Sequence, residues 1–202
     1  PILWQFPPNF KFNAELFETF LQQLPHDTEQ AAALARQHDS HLNGNASLKA
    51  YKKKPVRHAV EIRHESFIEP AFVRLLKHYN TALVIADTAG KWPYREDITS
   101  DFVYLRLHGA EQLYASGYTP QALKRWGDRI EAWHQGKQPS DPQLIAPQQK
   151  PKLRKSREVF CYFDNDIKVR APFDARSLLQ RLHLDTNLAT APGEPAAEGV
   201  LP

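Results

Sequence analysis

Five short runs rich in β-branched and aromatic residues end in side chains able to do chemistry. Gln5 ends ILWQF, Glu61 and Arg63 end HAVEIR, Asp87 ends TALVIAD, Arg106 and His108 end FVYLRLH, and Asp164, followed by Asn165 and Asp166, ends VFCYFD. Glu61, His108 and Asp87 are the acid/base candidates, because an imidazole titrates near neutrality and a buried carboxylate can be moved there. Arg63 and Arg106 suit bidentate capture of a phosphate, carboxylate or other anion. Gln5, Asn165 and Asp166 complete the candidate ligand-binding set. Trp92 and Tyr94, together with Tyr114, lie in segments that would ring the strand ends, where sugars or bases stack.

The same carboxylates and His108 offer oxygen and nitrogen donors to a divalent metal. No HExxH or paired CxxC spacing occurs, so no metal or other cofactor is assigned. GxSxG, P-loop and GxGxxG patterns are also missing from the sequence.

What must position these groups is an alternation of strands and helices. The five runs, Ile2 to Phe6, His58 to Arg63, Thr81 to Asp87, Phe102 to His108 and Val159 to Asp164, are mostly followed by helical patterns. That is the signature of a parallel α/β architecture, whose sites form at the carboxyl ends of the strands. The strand period of two then sorts the side chains. If Val60 and Ile62 face a helix layer, Glu61 and Arg63 face the other way; Tyr104, Arg106, His108, Tyr162 and Asp164 should join them, while Trp4 and Cys161 turn toward the helices. Burying so many charges costs several kcal/mol apiece unless they pair, so Glu61, Asp164 and Asp87 are expected to neutralise Arg63 and Arg106 in one network. A purely structural filling of the strand ends by paired charges is the alternative, but clustering at several strand ends favours the functional reading.

Helix starts are signalled at Asn13, at Asp27 with Gln30, at Ser66 with Glu69 before Pro70, and at Thr119 before Pro120. Leu123, Trp126, Ile130 and Trp133 recur at helical spacing and make one apolar face. Residues 136–157 carry four prolines and a basic run and read as a flexible insert or lid; 185–202, small and Pro-rich, read as a disordered tail.

At 202 residues, 42% of them hydrophobic, the chain can bury one substantial core. The lone Cys161 excludes a disulfide framework, and no apolar run approaches the roughly 20 residues that span a bilayer. A cytoplasmic protein without a membrane partner is expected. Net charge is +3, and the basic residues concentrate at Lys49 to Lys54 and Lys150 to Arg157, which leaves nucleic acid as an alternative partner.

Four strings, QFPP at Gln5 to Pro8, VEIRHESF at Val60 to Phe67, VYLRLHG at Val103 to Gly109 and CYFDNDIKVRAPFDA at Cys161 to Ala175, together resemble the YecE-like family, domain of unknown function 72. The resemblance extends over most of residues 1–184 and leaves the tail outside. It implies an α/β TIM-like β/α barrel of about 250 residues or more. Here that barrel would be an N-terminally truncated piece with about five of eight strands, because the family opens on a GTSGW-like strand and only its fourth reads like ILWQFPP. Five strands alone would expose an edge and a core face, so a fragment of this extent is expected to be poorly soluble. The family's signature residues include Gln5, Glu61, Arg63, His64, Asp87, Arg106, His108, Asn165 and Asp166, most of them in the strand-end set reached above.

The expectation that follows is an enzyme of unspecified reaction that binds a small polar or anionic ligand, sugar- or phosphate-bearing, at the strand ends. Its alternatives are a non-catalytic nucleic-acid-binding protein and a metal-dependent phosphoester hydrolase.

Overall fold

The alternation of strand and helix is realised in the computed structural model, which describes residues 1–42, 44–45, 47–109, 117–165 and 169–186. Among these residues five strands, β1 (Ile2–Gln5), β2 (His58–Glu61), β3 (Ala82–Asp87), β4 (Phe102–Leu107) and β5 (Glu158–Phe163), pair in parallel in chain order. The register sets Gln5 beside Glu61, Ala86 beside Arg106, and Arg106 beside Tyr162. Five helices connect or follow them: α1 (Ala14–Gln23), α2 (Thr28–Ala35), α3 (Pro70–His78), α4 (Pro120–His134) and α5 (Ala171–Arg181). The chain is therefore an α/β protein built on a five-stranded parallel sheet, and that sheet is open, with β1 and β5 at its edges.

Strand order that never reverses carries right-handed crossovers over the same face each time. The packing agrees. Ile85, Val103, Leu105 and Leu107 pack with Leu123, Trp126, Ile130 and Trp133 of α4 and Leu178 of α5. Val60, Ile62 and Leu83 pack with Phe17 and Leu21 of α1 and Phe72 and Leu76 of α3, with Trp4 against them. Each fully buried side chain of this kind contributes roughly 1.5–3 kcal/mol. The alternate residues, Ala59, Ala82, Val84, Ala86, Phe102 and Tyr104, form a separate cluster on the opposite face. Cys161 packs on the helix side, and burial pushes its thiol up to about 12, so it is an inert packing residue.

The start signals hold in three cases of four. Asn13 accepts from Leu16 N–H at 2.9 Å, and Thr119 accepts from Ala122 N–H at 3.1 Å. Asp27 accepts from Glu29 and Gln30, while the Gln30 side chain reaches back to His26 N–H at 2.8 Å, one residue before the cap. Ser66 does not cap α3. It sits in a short 3-10 turn, Glu65–Phe67, where its Oγ accepts from Phe12 N–H at 2.8 Å; α3 starts at Pro70, whose preset φ suits a first helical position, and Glu69 makes no side-chain cap.

Residues 136–157 hold no helix or strand, yet buried groups grip them. Asp97 accepts from Ile145 N–H at 2.7 Å and Ala146 N–H at 3.0 Å; Glu96 accepts from Gln143 N–H at 2.8 Å; Lys77 donates to the carbonyls of Gln149 and Lys150. The stretch 185–202 lies outside the described residues apart from its first two.

Candidate functional site

At the carboxyl ends of the strands the face opposite the helices carries a closed ring of side chains. It begins with Glu61 on β2, 1% exposed at its side chain. Parity turns it away from Val60 and the helices, and the register places Gln5 of β1 alongside, so the Gln5 amide donates to Glu61 Oε1 at 2.9 Å. Arg63, just past the end of β2, donates from Nε to the same oxygen at 2.9 Å. From β4, Arg106 donates through Nη1 to Glu61 Oε2 at 2.7 Å and through Nη2 to Asp164, which follows β5. His108 Nδ1 lies 3.2 Å from the same Asp164 carboxylate. Trp92 closes the ring, its centroid 3.9 Å from the Arg63 guanidinium carbon and 6.4 Å from the His108 ring, edge-on at 82°.

Two carboxylates and two guanidiniums thus neutralise each other, as charges removed from water must. Burial alone pushes Glu61 up, but the hydrogen bond and charge of Arg106, with Gln5 and Arg63, outweigh it and hold the carboxyl below its ordinary range. Burial lowers Arg106, and Glu61 with Asp164 more than reverse this, so its charge is locked in. His108 is held below the usual imidazole value by burial first and by Arg106 second, against Glu61 and Asp164. It is a neutral imidazole at neutral pH, completely enclosed.

The two arginines differ in what remains of them. Both Nη groups of Arg106 are engaged by carboxylates. Arg63 is fixed at its Nε and by its face on Trp92, and among the described residues neither of its Nη groups makes a hydrogen bond. A guanidinium so held presents a ready two-point donor edge.

Of the residues singled out in the sequence, Gln5, Glu61, Arg63, Arg106, His108 and Trp92 come together, with Asp164. Asp87 does not join them. It shares parity with Ile85 and turns to the helix side, where Tyr118 donates to it at 3.2 Å, and burial raises its pKa. The expected pairing of Asp87 with the arginines is replaced by this phenol contact. Asn165 also serves the helix side: it is buried, and its amide donates to Asp174 of α5 at 2.7 Å, the oxygen that also accepts Tyr118 N–H. Tyr94 donates to buried Glu96 at 2.7 Å beside the Glu96–Arg129 ion pair and packs on Trp126. Asp166 and Tyr114 lie outside the described residues.

Sequence reasoning missed Lys91, whose Nζ lies 5.1 Å from the Trp92 centroid; its only signal was a place between Gly90 and Trp92 in the segment after β3. It also missed buried His58, which accepts from Trp4 Nε1 at 3.0 Å through Nδ1. Among the described residues no group of three His, Cys, Asp or Glu side chains is arranged to hold a metal, and no helix is long and apolar enough to cross a membrane.

The family described as protein of unknown function DUF72 matches residues 1–198, which takes in most of the stretch beyond 184 that the motif resemblance left out. A DUF72 family protein from Thermotoga maritima has a similar structure, with a TM-score of 0.60 at 20% identity over 90% of this chain and 56% of that one. Two structures of a DUF72 family protein from Enterococcus faecalis give TM-scores of 0.57 and 0.55 at 16% and 17% identity, over 91% and 90% of this chain and 58% and 60% of theirs. The chain therefore spans less than two thirds of the length of these structures, and at such identities the likeness speaks for the fold alone. No curated protein matches the chain.

Proposed function

The chain belongs to the DUF72 family of proteins of unknown function, and from that premise we propose that it binds a small polar anion at the carboxyl ends of the strands, in the mouth of a TIM-like β/α barrel of which the five strands form part. In-order parallel strands with α1, α3, α4 and α5 packed on one face support the barrel reading, since that is how a barrel wall is wound. One observation carries the binding reading: Arg63 is held rigidly by Glu61 and Trp92 while its Nη edge makes no hydrogen bond among the described residues. A binding site needs such a group, immobilised in advance so that little freedom is lost on capture.

Within this reading Glu61 and Arg106 position Arg63 rather than touch the ligand, because Glu61 is saturated by Gln5, Arg63 and Arg106, and both Nη groups of Arg106 by Glu61 and Asp164. Enclosed His108 orients Asp164 and Trp92 from behind. The nucleic-acid alternative has less support. Lys53 is occupied by Asp27 and Glu29, each at 3.3 Å, and Arg157 is buried with Nη2 donated to the Lys152 carbonyl.

The test is thermal denaturation with and without sugar phosphates, hydroxy acids and inorganic phosphate, on wild type, Arg63→Gln and Arg106→Gln. A ligand at 100-fold its Kd stabilises by about 2.7 kcal/mol. Arg63→Gln should abolish that rise, and Arg106→Gln, which loses ion pairs to both Glu61 and Asp164, should cost more basal stability than Arg63→Gln, which loses one. A ligand-induced rise that survives Arg63→Gln would overturn the assignment.

A further inference from the structure

Resting on that anion-binding reading, we infer that the group Arg63 takes is a phosphoryl group, and that Lys91 is its second cation. β3 ends in a turn in which Lys91 N–H donates to the Thr88 carbonyl at 3.0 Å, and the two residues between them, Ala89 at φ 51° and Gly90 at φ 77°, are both left-handed. Glycine adopts that conformation freely, whereas alanine is strained there, and strained backbone persists where surrounding structure over-determines it. Here Thr88, 2% exposed, does so, because its Oγ1 accepts Trp92 N–H at 3.1 Å. The turn delivers Lys91 and Trp92 as a unit to the mouth of the ring.

Lys91 Nζ and the Arg63 guanidinium carbon stand 5.1 and 3.9 Å from the same indole centroid, which places the two cationic centres within about 9 Å of each other. Lys91 is exposed, and among the described residues no carboxylate pairs with it. The four charges of the ring cancel, so Lys91 supplies the net positive charge that draws an anion to the mouth. Geometry then selects the kind of anion. The two Nη groups of Arg63 take two oxygens in one plane, which uses both oxygens of a carboxylate. An ammonium arriving from a different direction on a flexible stem is matched by a third terminal oxygen, and a phosphate monoester has one. The ligand class is therefore a small phosphorylated molecule, with inorganic phosphate and sulfate as minimal mimics.

Calorimetric titration of inorganic phosphate and glucose 6-phosphate, with acetate and gluconate at matched ionic strength as carboxylate controls, tests this on wild type, Lys91→Gln, Lys91→Arg and Arg63→Gln. Phosphate and the sugar phosphate should bind more tightly than the carboxylates. Lys91→Gln should weaken them by about tenfold or more and Lys91→Arg should restore most of the loss, because a charged hydrogen bond is worth that much. Carboxylates binding as well as phosphates, with Lys91→Gln indifferent and Arg63→Gln deleterious, would overturn the phosphoryl assignment and leave the anion site standing. No binding of any of the four anions would overturn both.

Discussion

Replacing Glu61 by glutamine is the most demanding test of the ring, because it keeps shape and removes only charge. One Glu61 oxygen accepts from Gln5 and Arg63, the other from Arg106. An amide has a single acceptor oxygen, so whichever way it is turned, donors on one side meet an NH2 group. Breaking a buried ion pair by removing one partner costs about 3–5 kcal/mol. The low end applies here, since Arg106 keeps Asp164 and both arginine side chains remain about one-sixth exposed. About 3 kcal/mol corresponds to a fall in Tm of roughly 6–12 °C for a chain of this size. The pH dependence has a definite sign. The folded carboxyl titrates below its ordinary value of 4.5, so its stabilisation is complete above that pH and disappears as pH falls through the folded value. The stability gap between wild type and Glu61→Gln, measured by urea and thermal unfolding, should thus be widest at pH 7 and close as pH falls below about 4.5. A double-mutant cycle with Arg106→Gln should return a coupling of about 1 kcal/mol or more. A gap under about 1 kcal/mol at pH 7, or one that stays constant into acid, would refute the account of the ring as a mutually neutralised network.

Three further outcomes follow from groups outside the ring. Asp87→Asn should stay within about 1 kcal/mol of wild type at pH 7, because burial raises the Asp87 pKa and the ionised carboxyl loses stability as pH rises through that value; Tyr118→Phe, which strips a donor from Asp87 and an acceptor from Gly109 N–H, should cost about 1–3 kcal/mol in urea unfolding. His58 accepts Trp4 N–H at Nδ1 and donates from Nε2 to the Pro25 carbonyl, so only the neutral imidazole satisfies both; burial depresses its pKa, stability should fall as pH drops below 6.5, and His58→Gln should flatten part of that slope in a series of melts, His108 supplying the rest. Gly136→Ala should destabilise by about 2–3 kcal/mol in the same assay, since φ is +75° and a Cβ would stand 1.9 Å from the Arg154 carbonyl oxygen.

The strand runs and the faces of their side chains were legible because hydrophobic burial imposes a period of two, and a register slip would invert every residue. That is why Glu61, Arg106 and Asp164 could be placed on one face from the sequence, and why Trp4 and Cys161 could be sent to the other. Asp87 shows where the reasoning stopped short. A strand-end position alone does not decide the face: the same period sets Asp87 with Ile85, Leu105 and Leu107 on the helix side, where it meets Tyr118. Asn165 and Tyr94 were misplaced for a different reason. Each is oriented by tertiary packing, Asn165 by Asp174 on α5 and Tyr94 by Glu96, itself buried against Arg129 of α4, and a period of two carries no record of such pairings.

The same limit governs residues 136–157, where proline and glutamine content signals the absence of regular structure but not what binds the segment. Glu96 and Asp97 satisfy its backbone N–H groups from the other side of β4, as buried carboxylates do when no strand is available to pair with. Lys91 completes the argument. Its charge was visible, but its relevance depends on two successive left-handed residues that turn it back over the strand ends, and alanine in that conformation is not something composition or periodicity announces. The ring was readable because burial wrote it as a face; the cation that gives the mouth its net charge was not, because a single strained turn puts it there.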